Sequence, residues 1–335
     1  MRALEQLGCN PIPFDVTPYF KASGYLSRRL ASSHARGPII RSLNESLLDA
    51  VRKVTRKIDC IWIDKGIWLW PSTPQALKEM TRAPAVHYSP DPHFGFRPSA
   101  QRMFWQSIRH YDLLFTTKPF EVDLYRRHGA RSVRLVNQSY NEEQLFPRSL
   151  SDAERQRFGS EVCFVGQYDA PRALLLAACS DGNVHLRVWG PAWRRWRWRH
   201  AWLRAAYSGD GAFGSDYALA LSGADIGLCF LTKHVPETTT TRTFEIPGCG
   251  VFMLAERTDE HRALFEEGVE AEYFSDAAEM KDKIRFYLAN PGVRTRIAAA
   301  GHARSQKSGY GNRPRMQELL MHVNALIDSS NRVAA

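Results

Sequence analysis

Residues 161–190 read EVCFVGQYDAPRALLLAACSDGNVHLRVWG, and this stretch decides the fold. Its apolar run VCFVG predicts a buried strand, RALLLAAC predicts a helix, and HLRVWG predicts a second strand. Regular alternation of strands and helices favours a parallel sheet that is covered by helices.

The same alternation extends from this stretch in both directions. Downstream it continues through SDYALALSG, DIGLCF, a helix around Phe244 and the strand VFMLA. Upstream lie the strands CIWI, AVHY, LLFTT and SVRLV. The capping-box spacing of Ser42 and Glu45 predicts that a helix begins at Ser42 and precedes the strand CIWI. The polar segment 137–160 separates the two series and is the predicted linker. The sequence therefore predicts an α/β protein with two doubly wound, Rossmann-like domains that face a ligand cleft.

We expect one domain over residues 1–150, a second over 151–312, and a C-terminal helix over 313–335 that packs back on the first domain. The chain opens with MRALEQLGCNPIPFD, which begins as a helix where a doubly wound domain normally begins with a strand. Either the first strand of the N-terminal domain is missing, or the true start lies upstream.

Composition narrows the classes of partner. A net charge of +10 favours an anionic partner, which can be a nucleic acid, an anionic lipid surface or a phosphorylated small molecule. Six single cysteines without metal spacing indicate reduced thiols in a cytoplasmic protein. No apolar run reaches the roughly 18 residues that span a bilayer, and no Gly-x-Gly-x-x-Gly or Walker motif supports a dehydrogenase or an NTPase.

The segment 236–270, PETTTTRTFEIPGCGVFMLAERTDEHRALFEEGVE, carries the best chemical signal. A helix is predicted to begin near 241–243, and the free N–H groups of a helix start, together with Arg242, suit a diphosphate. Glu245 lies one turn into that helix. Its carboxylate can accept hydrogen bonds from two neighbouring hydroxyls, as a ribose presents them.

The run R-x-F-E-I-x-x-C-G, then T-D-E-x-x-x-L-F-E-x-G and KIRFYLANP, resembles the C-terminal part of the CgeB-like glycosyltransferases. HYSPDPHF, YDLLFTTKPFEVDLYRRHGA, FVGQYDAPR and VWGPAW extend the resemblance over nearly the whole chain. These bacterial enzymes have the GT-B fold and are related to family 4, whose members are retaining and use nucleotide sugars. The resemblance implies an N-terminal acceptor-side domain and a C-terminal nucleotide-sugar-binding domain.

The same resemblance implies a cytoplasmic hexosyltransferase (EC 2.4) of polysaccharide biosynthesis, which carries the sugar of a UDP-, GDP- or dTDP-sugar to a glycan, lipid-linked saccharide or protein. It implies no cofactor and no metal, because cations and helix N-termini stabilise the leaving nucleoside diphosphate. A nucleotide-sugar binder without turnover and a GT-B sugar-nucleotide epimerase remain alternatives.

The resemblance also assigns roles to residues. Glu245 corresponds to the glutamate that holds the ribose. Glu237 corresponds to the first glutamate of the E-x7-E pattern, which faces the donor sugar, although threonines follow it here in place of glycine and an aromatic residue. Gly166 corresponds to the first glycine after the opening strand of the donor domain. Because Gln167 replaces an arginine that contacts the diphosphate, Arg172 and Arg242 are the candidate phosphate-binding residues.

Four further residues complete the predicted site. Gly190 follows the strand whose end lies near the base in the family, and Thr243 stands at the predicted helix start. In the acceptor half, Asp91 and His93 are the candidate catalytic residues, in a loop that Pro90 and Pro92 make rigid. Every charged candidate also has a purely structural interpretation, as a capping, loop, turn or surface side chain.

The run WRRWRWRHAWLR, Trp193 to Arg204, is the least conventional feature of the chain. An aromatic-rich loop with arginines stacked on tryptophans is one interpretation, and a peripheral contact with the inner membrane surface or an anionic acceptor is another. A nucleic-acid-binding protein is the least favoured, because basic residues are spread along the chain and no nucleic-acid-binding motif is present.

Overall fold

The computed structural model describes residues 1–93, 98–180 and 184–334, and the chain forms two compact units. One unit comprises Met1–Asn137 and Met316–Ala335, and the other comprises Gln138–Arg315. Each unit contains a parallel sheet with helices packed on it. The predicted α/β architecture with two parallel-sheet domains is therefore confirmed.

The first unit contains a four-stranded sheet whose strands follow the chain order. All neighbouring strands are parallel, and β2 pairs Val86 with Leu113 of β3. The strands are short apolar runs, as expected for strands that are buried on both faces. Their bounds are β1 Ile61–Asp64, β2 Ala85–Ser89, β3 Leu113–Thr116 and β4 Val133–Leu135.

The helices of the first unit that precede its final helix are α1 Arg2–Gln6, α2 Thr17–Lys21, α3 Tyr25–His34, α4 Pro38–Arg52, α5 Thr73–Thr81, α6 Pro98–Ser107 and α7 Pro119–Arg127, with a 3-10 turn at Ile108–His110. Helices α4 to α7 cover one face of this sheet, and α3 packs on α4 and α6. The other face packs on Leu319 and Val323 of the final helix. In the described part of this unit the strand order does not reverse, so the doubly wound pattern predicted here is not seen. Right-handed crossovers that advance in one direction place their helices on one face, and the final helix covers the other.

One predicted helix boundary is wrong. Helix α4 begins at Pro38, not at Ser42. Gly37 precedes it with a φ of 97°, which glycine adopts without strain, and Pro38 supplies a backbone that is already helical.

The second unit contains a six-stranded parallel sheet in the order β10-β9-β8-β5-β6-β7. The chain moves outward from β5 to β7 and then returns to the other side of β5 to form β8, so the topological switch point lies between β5 and β8. The strands are β5 Ser160–Val165, β6 Leu186–Trp189, β7 Tyr207–Gly209, β8 Ala224–Cys229, β9 Phe252–Glu256 and β10 Glu272–Phe274.

Both faces of the second sheet are covered. Phe164 and Phe252 belong to the core on one face, whereas Val165 and Met253 belong to the core on the other. The strand, helix and strand predicted within 161–190 are confirmed as β5, α9 and β6. The helices of this unit are α8 Asp152–Phe158, α9 Ala170–Cys179, α10 Trp193–Trp196, α11 Ala201–Ala206, α12 Ser215–Ser222, α13 Arg242–Gly248, α14 Asp259–Leu264, α15 Ala277–Ala289 and α16 Pro291–Lys307. The final helix, α17 Asn312–Ala334, belongs to the first unit from Met316 onwards.

The ends of β5 and β6 approach each other at two glycines. Gly190 has a φ of +147°, and a Cβ atom there would lie 1.9 Å from the carbonyl oxygen of Gly166. That oxygen also accepts a 2.7 Å hydrogen bond from Nε1 of the fully buried Trp193. Only glycine at position 190 permits this contact.

We predict that Gly190→Ala lowers the free energy of unfolding by at least about 2 kcal/mol, because the new methyl group forces both strand ends apart and strains the backbone. Gly292→Ala in α16 is the matched control, since no heavy atom lies within 4 Å of the added Cβ. Urea unfolding of both variants tests this, and equal stability of the two would contradict it.

Candidate functional site

The carboxyl ends of β5, β6, β8 and β9 form the candidate site within the second unit. Arg242, the first residue of α13, reaches from the chain after β8 to the end of β5, where its Nε donates to the carbonyl oxygen of Val165 at 2.9 Å. The arginine thus spans the switch point between β5 and β8. The helix start predicted near 241–243 is confirmed, with Thr241 as the N-cap.

Two arginines bring positive charge to this place. Arg172 in α9 donates from Nη1 to the carbonyl oxygen of Gln167 at 3.4 Å, and its buried Nε has no hydrogen-bond partner. Burial lowers the pKa of Arg172, and the charge of Arg242 lowers it further. Among the described residues, neither guanidinium lies within ion-pair distance of a carboxylate. Two arginines that repel each other without a paired carboxylate are suited to bind an anion.

Glu245 lies one turn into α13 and is held by a tyrosine. The hydroxyl of Tyr217 in α12 donates to Oε2 of Glu245 at 2.5 Å. Burial raises the pKa of Tyr217 well above its ordinary value, and the charge of Glu245 adds to this. Burial lowers the pKa of Arg242, but Tyr217 and Glu245 outweigh it and the net pKa is raised. Oε1 of Glu245 makes no hydrogen bond within the described chain, so it can accept from a ligand.

Glu237 lies in the loop that follows β8. Its Oε2 accepts the backbone N–H of Thr232 at 3.1 Å, and the side chain is half-buried. Its negative charge raises the pKa of both Arg172 and Arg242. The loop carboxylate is therefore electrostatically coupled to both arginines.

Thr243 is fully buried, and its hydroxyl is bonded within the protein on both sides. It lies 2.8 Å from Nε2 of His261 and accepts the N–H of Thr240 at 3.2 Å. Nδ1 of His261 lies 2.7 Å from the carbonyl oxygen of Glu256 and must donate to it, so Nε2 is the acceptor for Thr243. The side chain therefore ties α13 to α14, and a direct contact of Thr243 with a ligand stays a prediction.

Two residues of this site were not selected from the sequence. Asp169, between Gly166 and Arg172, is only 8% exposed, and its Oδ2 makes no hydrogen bond while Nε2 of His234 lies 3.8 Å away. Its position before Pro171 has the pattern of an ordinary N-cap, although no side-chain capping bond forms. Tyr217 has no sequence signal, because it lies 28 residues from Glu245 in the chain.

Asp91 and His93 lie in the first unit. Asp91 is exposed and forms an ion pair with Lys65. His93 is 2% exposed, its Nε2 donates to the carbonyl oxygen of Lys65 at 2.9 Å, and its Nδ1 lies 2.9 Å from the hydroxyl of Tyr125. Both ring nitrogens are thus used within the unit, and a catalytic role for either residue stays a prediction. Phe94, the last residue of the predicted loop, lies outside the described residues.

The other candidates, apart from Thr243, lie at the carboxyl ends of the strands of the second sheet. Gly166 and Gly190 directly follow β5 and β6, where their backbones touch. The structure therefore brings together, at the carboxyl ends of these strands, the backbone or side chains of Gly166, Arg172, Gly190, Glu237, Arg242 and Glu245.

Comparison with known proteins agrees with this fold. Residues 171–321 match a family model described as glycosyl transferase-like. HepE from Anabaena, solved in complex with UDP and glucose, is 15% identical with a TM-score of 0.65, and the match covers 97% of this chain and 88% of that one. No curated protein matches the chain by sequence.

Two further solved structures are similar. A glycosyltransferase from Rickettsia africae ESF-5 is 13% identical with a TM-score of 0.64, over 97% of this chain and 92% of that one. Sucrose-phosphate synthase from Thermosynechococcus elongatus is 16% identical with a TM-score of 0.63, over 86% and 78%. At such identities the likeness shows the fold, which is the GT-B fold of two parallel-sheet domains.

The buried His93 predicts an acid-sensitive first unit. Burial lowers its pKa from 6.5 to about 4, so the unfolded chain takes up the proton first. The contribution of His93 to stability is therefore complete above the unfolded value of its pKa and falls by about 2 kcal/mol between pH 7 and pH 5. Burial also lowers the pKa of the neighbouring His87 well below its ordinary value, so His87 adds to the loss in the wild type. Urea unfolding at both pH values measures this, and His93→Gln should show a smaller loss.

His34→Gln is the control for that experiment, because His34 is exposed and its replacement should leave the pH dependence unchanged. The same pH dependence in the wild type and in His93→Gln would refute the assignment to His93.

Proposed function

We propose that this protein is a glycosyltransferase that binds a UDP-sugar at the switch point of its second unit. The observation that carries the proposal is the pair Arg172 and Arg242, two partly buried arginines without a paired carboxylate, beside the open oxygen of Glu245. UDP contains both an anionic diphosphate and a ribose diol, which match these two features. The glycosyl transferase-like model spans both arginines and Glu245, and the UDP and glucose of the HepE structure support this choice of donor.

Each residue has a role in this proposal. Arg172 and Arg242 hold the diphosphate, and Oε1 of Glu245 accepts hydrogen bonds from the ribose hydroxyls while Tyr217 holds the other oxygen. Glu237 faces the transferred sugar. Gly166 and Gly190 let the ends of β5 and β6 approach each other closely, and we assign the diphosphate and the base to the space next to these strand ends.

The chemical step requires stabilisation of charge on the leaving group. As the bond between the anomeric carbon and the diphosphate oxygen breaks, negative charge grows on that oxygen, and the two guanidinium groups stabilise it. Oriented cations of this kind remove part of the barrier because they do not have to reorganise during the reaction. We propose that this occurs without a metal ion and with retention of the anomeric configuration, as the resemblance to family 4 implies.

The narrower assignments belong to the same proposal. They are membership of the CgeB-like group, a hexosyl donor, a glycan, lipid-linked saccharide or protein as acceptor, and a cytoplasmic location in a bacterium. None of the helices in the described chain combines the length and the apolar character that a membrane crossing requires.

The proposal predicts that UDP and at least one UDP-sugar raise the unfolding temperature, whereas UMP has a weaker effect because it lacks the second phosphate. Nucleotide release from a panel of UDP-, GDP- and dTDP-sugars, with and without glycan acceptors, is measured alongside. Release that depends on an acceptor supports a transferase. Stabilisation without any release would instead indicate a nucleotide-sugar binder, and no stabilisation by any nucleotide would contradict the whole proposal.

The role of Glu245 predicts a specific loss of ribose recognition. Glu245→Gln should weaken UDP binding roughly 10- to 100-fold, because hydrogen bonds to a charged group contribute about 1.5–3 kcal/mol. The same variant should lose the preference of the wild type for UDP over 2′,3′-dideoxy-UDP. Calorimetric titration with both nucleotides measures the two affinities.

Arg172→Gln is the matched control for this titration. It should weaken UDP binding but keep the preference for UDP over the dideoxy analogue, because it removes a phosphate contact only. A Glu245→Gln variant that still prefers UDP to the analogue would rule out the ribose assignment.

A further inference from the structure

The tryptophan and arginine run from Trp193 to Arg204 is not a loop. It forms α10 and α11, with a short turn between them. Trp193 is fully buried, Trp196 stacks on Tyr168 at 5.1 Å between ring centroids, and Trp202 packs on the same core. Three of the four tryptophans therefore anchor the segment. The predicted loop is wrong, because the segment is helical, but the predicted stacking of arginines on tryptophans is confirmed at Arg197 on Trp198 and at Arg199 on Trp196.

The fourth tryptophan faces solvent. Trp198 is 68% exposed, with the Arg197 guanidinium 4.7 Å from its ring centroid. The same guanidinium lies 5.4 Å from the ring of Tyr207, so Trp198 and Tyr207 share one surface. An exposed tryptophan beside three buried or half-buried ones is not required by the packing of the segment.

A second exposed aromatic residue follows β7. This residue is Phe213, which is 77% exposed. It lies three residues after Asp210, whose carboxylate accepts a 2.8 Å hydrogen bond from the hydroxyl of Tyr207 in β7. Phe213 lies between Gly211 and Gly214 in the segment that joins β7 to α12, and its ring lies against Gly211. A single exposed phenylalanine is common on protein surfaces, so Phe213 gains a role only together with Trp198 and the nearby arginines.

Positive charge lies close to Trp198, and Asp210, three residues before Phe213, connects this part of the chain to Tyr207 and Arg194. Residues 193–213 contain five arginines and one carboxylate, Asp210, which lies 3.8 Å from Arg194. Arg194, Arg195 and Arg199 are exposed. We call this patch the β7-edge surface, and it comprises Arg194, Arg195, Arg197, Trp198, Arg199, Tyr207 and Phe213.

We propose that the β7-edge surface binds a membrane that contains anionic lipids. Tryptophan and phenylalanine side chains enter the interfacial layer of a bilayer, while flanking arginines contact lipid phosphates and keep their charge in the headgroup region. Trp198 beside Arg197, with exposed arginines near it in the chain and the exposed Phe213 just after β7, matches this arrangement. A nucleic acid would instead need a basic groove that follows its backbone.

Membrane binding of this kind requires both the arginines and the exposed aromatic rings. Arginines alone would give attraction that salt removes, and two rings alone would bind neutral and anionic bilayers equally. The surface therefore predicts binding that depends on anionic lipid and is lost when either exposed ring is truncated. The proposed membrane binding does not depend on the proposed nucleotide site.

The test is co-sedimentation of the protein with vesicles of phosphatidylcholine alone or mixed with an equal amount of phosphatidylglycerol. We expect sedimentation with the mixed vesicles, and a loss of roughly tenfold in partitioning for Trp198→Ala and for Phe213→Ala, as expected for removal of one interfacial aromatic anchor. Charge reversal in Arg195→Glu should reduce binding to mixed vesicles by a similar factor.

Matched controls come from the opposite edge of the same sheet. Phe286 in α15 is 52% exposed beside β10, and Arg285 next to it is also exposed. Phe286→Ala and Arg285→Glu should bind mixed vesicles like the wild type. Unchanged circular dichroism melting of all five variants excludes unfolding as the cause of any loss.

Three results would overturn the proposal. The first is equal loss in the control variants, and the second is full binding by both Trp198→Ala and Phe213→Ala. The third is binding that depends on the arginines alone and that RNA displaces completely, which would indicate a nucleic-acid surface. UDP-induced stabilisation of the Trp198→Ala variant, measured in parallel, separates a failure of this proposal from a failure of the nucleotide site.

Discussion

The contact between the ends of β5 and β6 is the constraint on which the candidate site depends. Gly190 lies against the carbonyl oxygen of Gly166, and Trp193 donates to the same oxygen. This contact determines where the chain leaves β5. It therefore also determines where α9 begins and where Arg172 lies. One residue earlier, the carbonyl oxygen of Val165 accepts from Arg242. The two arginines are thus positioned by the backbone at the end of a single strand.

The same arrangement carries a cost in stability. Partly burying Arg172 beside Arg242 is unfavourable, because desolvation and the neighbouring positive charge disfavour its charged form, whereas Tyr217 and Glu245 outweigh desolvation at Arg242. Asp169, Glu237 and Glu245 reduce the unfavourable potential without forming ion pairs with either arginine. Sites with such residual charge are typical of ligand binding, since an anionic ligand supplies the missing partner. The buried Thr243 and His261 contribute by holding α13 in place.

Local sequence patterns predict the helices and strands, but they do not predict the contacts between them. The strand, helix and strand in 161–190 and the start of α13 were predictable, because apolar periodicity and helix-start chemistry act within a few residues. The start of α4 was missed because Gly37 and Pro38 outweigh the capping-box spacing at Ser42. The Tyr217 contact with Glu245 was not predictable, because the two residues lie in different helices. The direction of the Thr243 hydroxyl likewise depends on His261, which is distant in sequence.

The sequence by itself determined the class of fold and the segment that carries the candidate chemistry, because hydrophobic periodicity and residue type are local properties. Tertiary structure alone decided which side chains remain available to a ligand. Both ring nitrogens of His93 and the hydroxyl of Thr243 form internal hydrogen bonds, whereas Oε1 of Glu245 forms none within the described residues. Tertiary structure also buried Trp193 and exposed Trp198, although both belong to one arginine-rich run. Burial depends on which elements pack together, and packing joins residues that the linear order keeps apart.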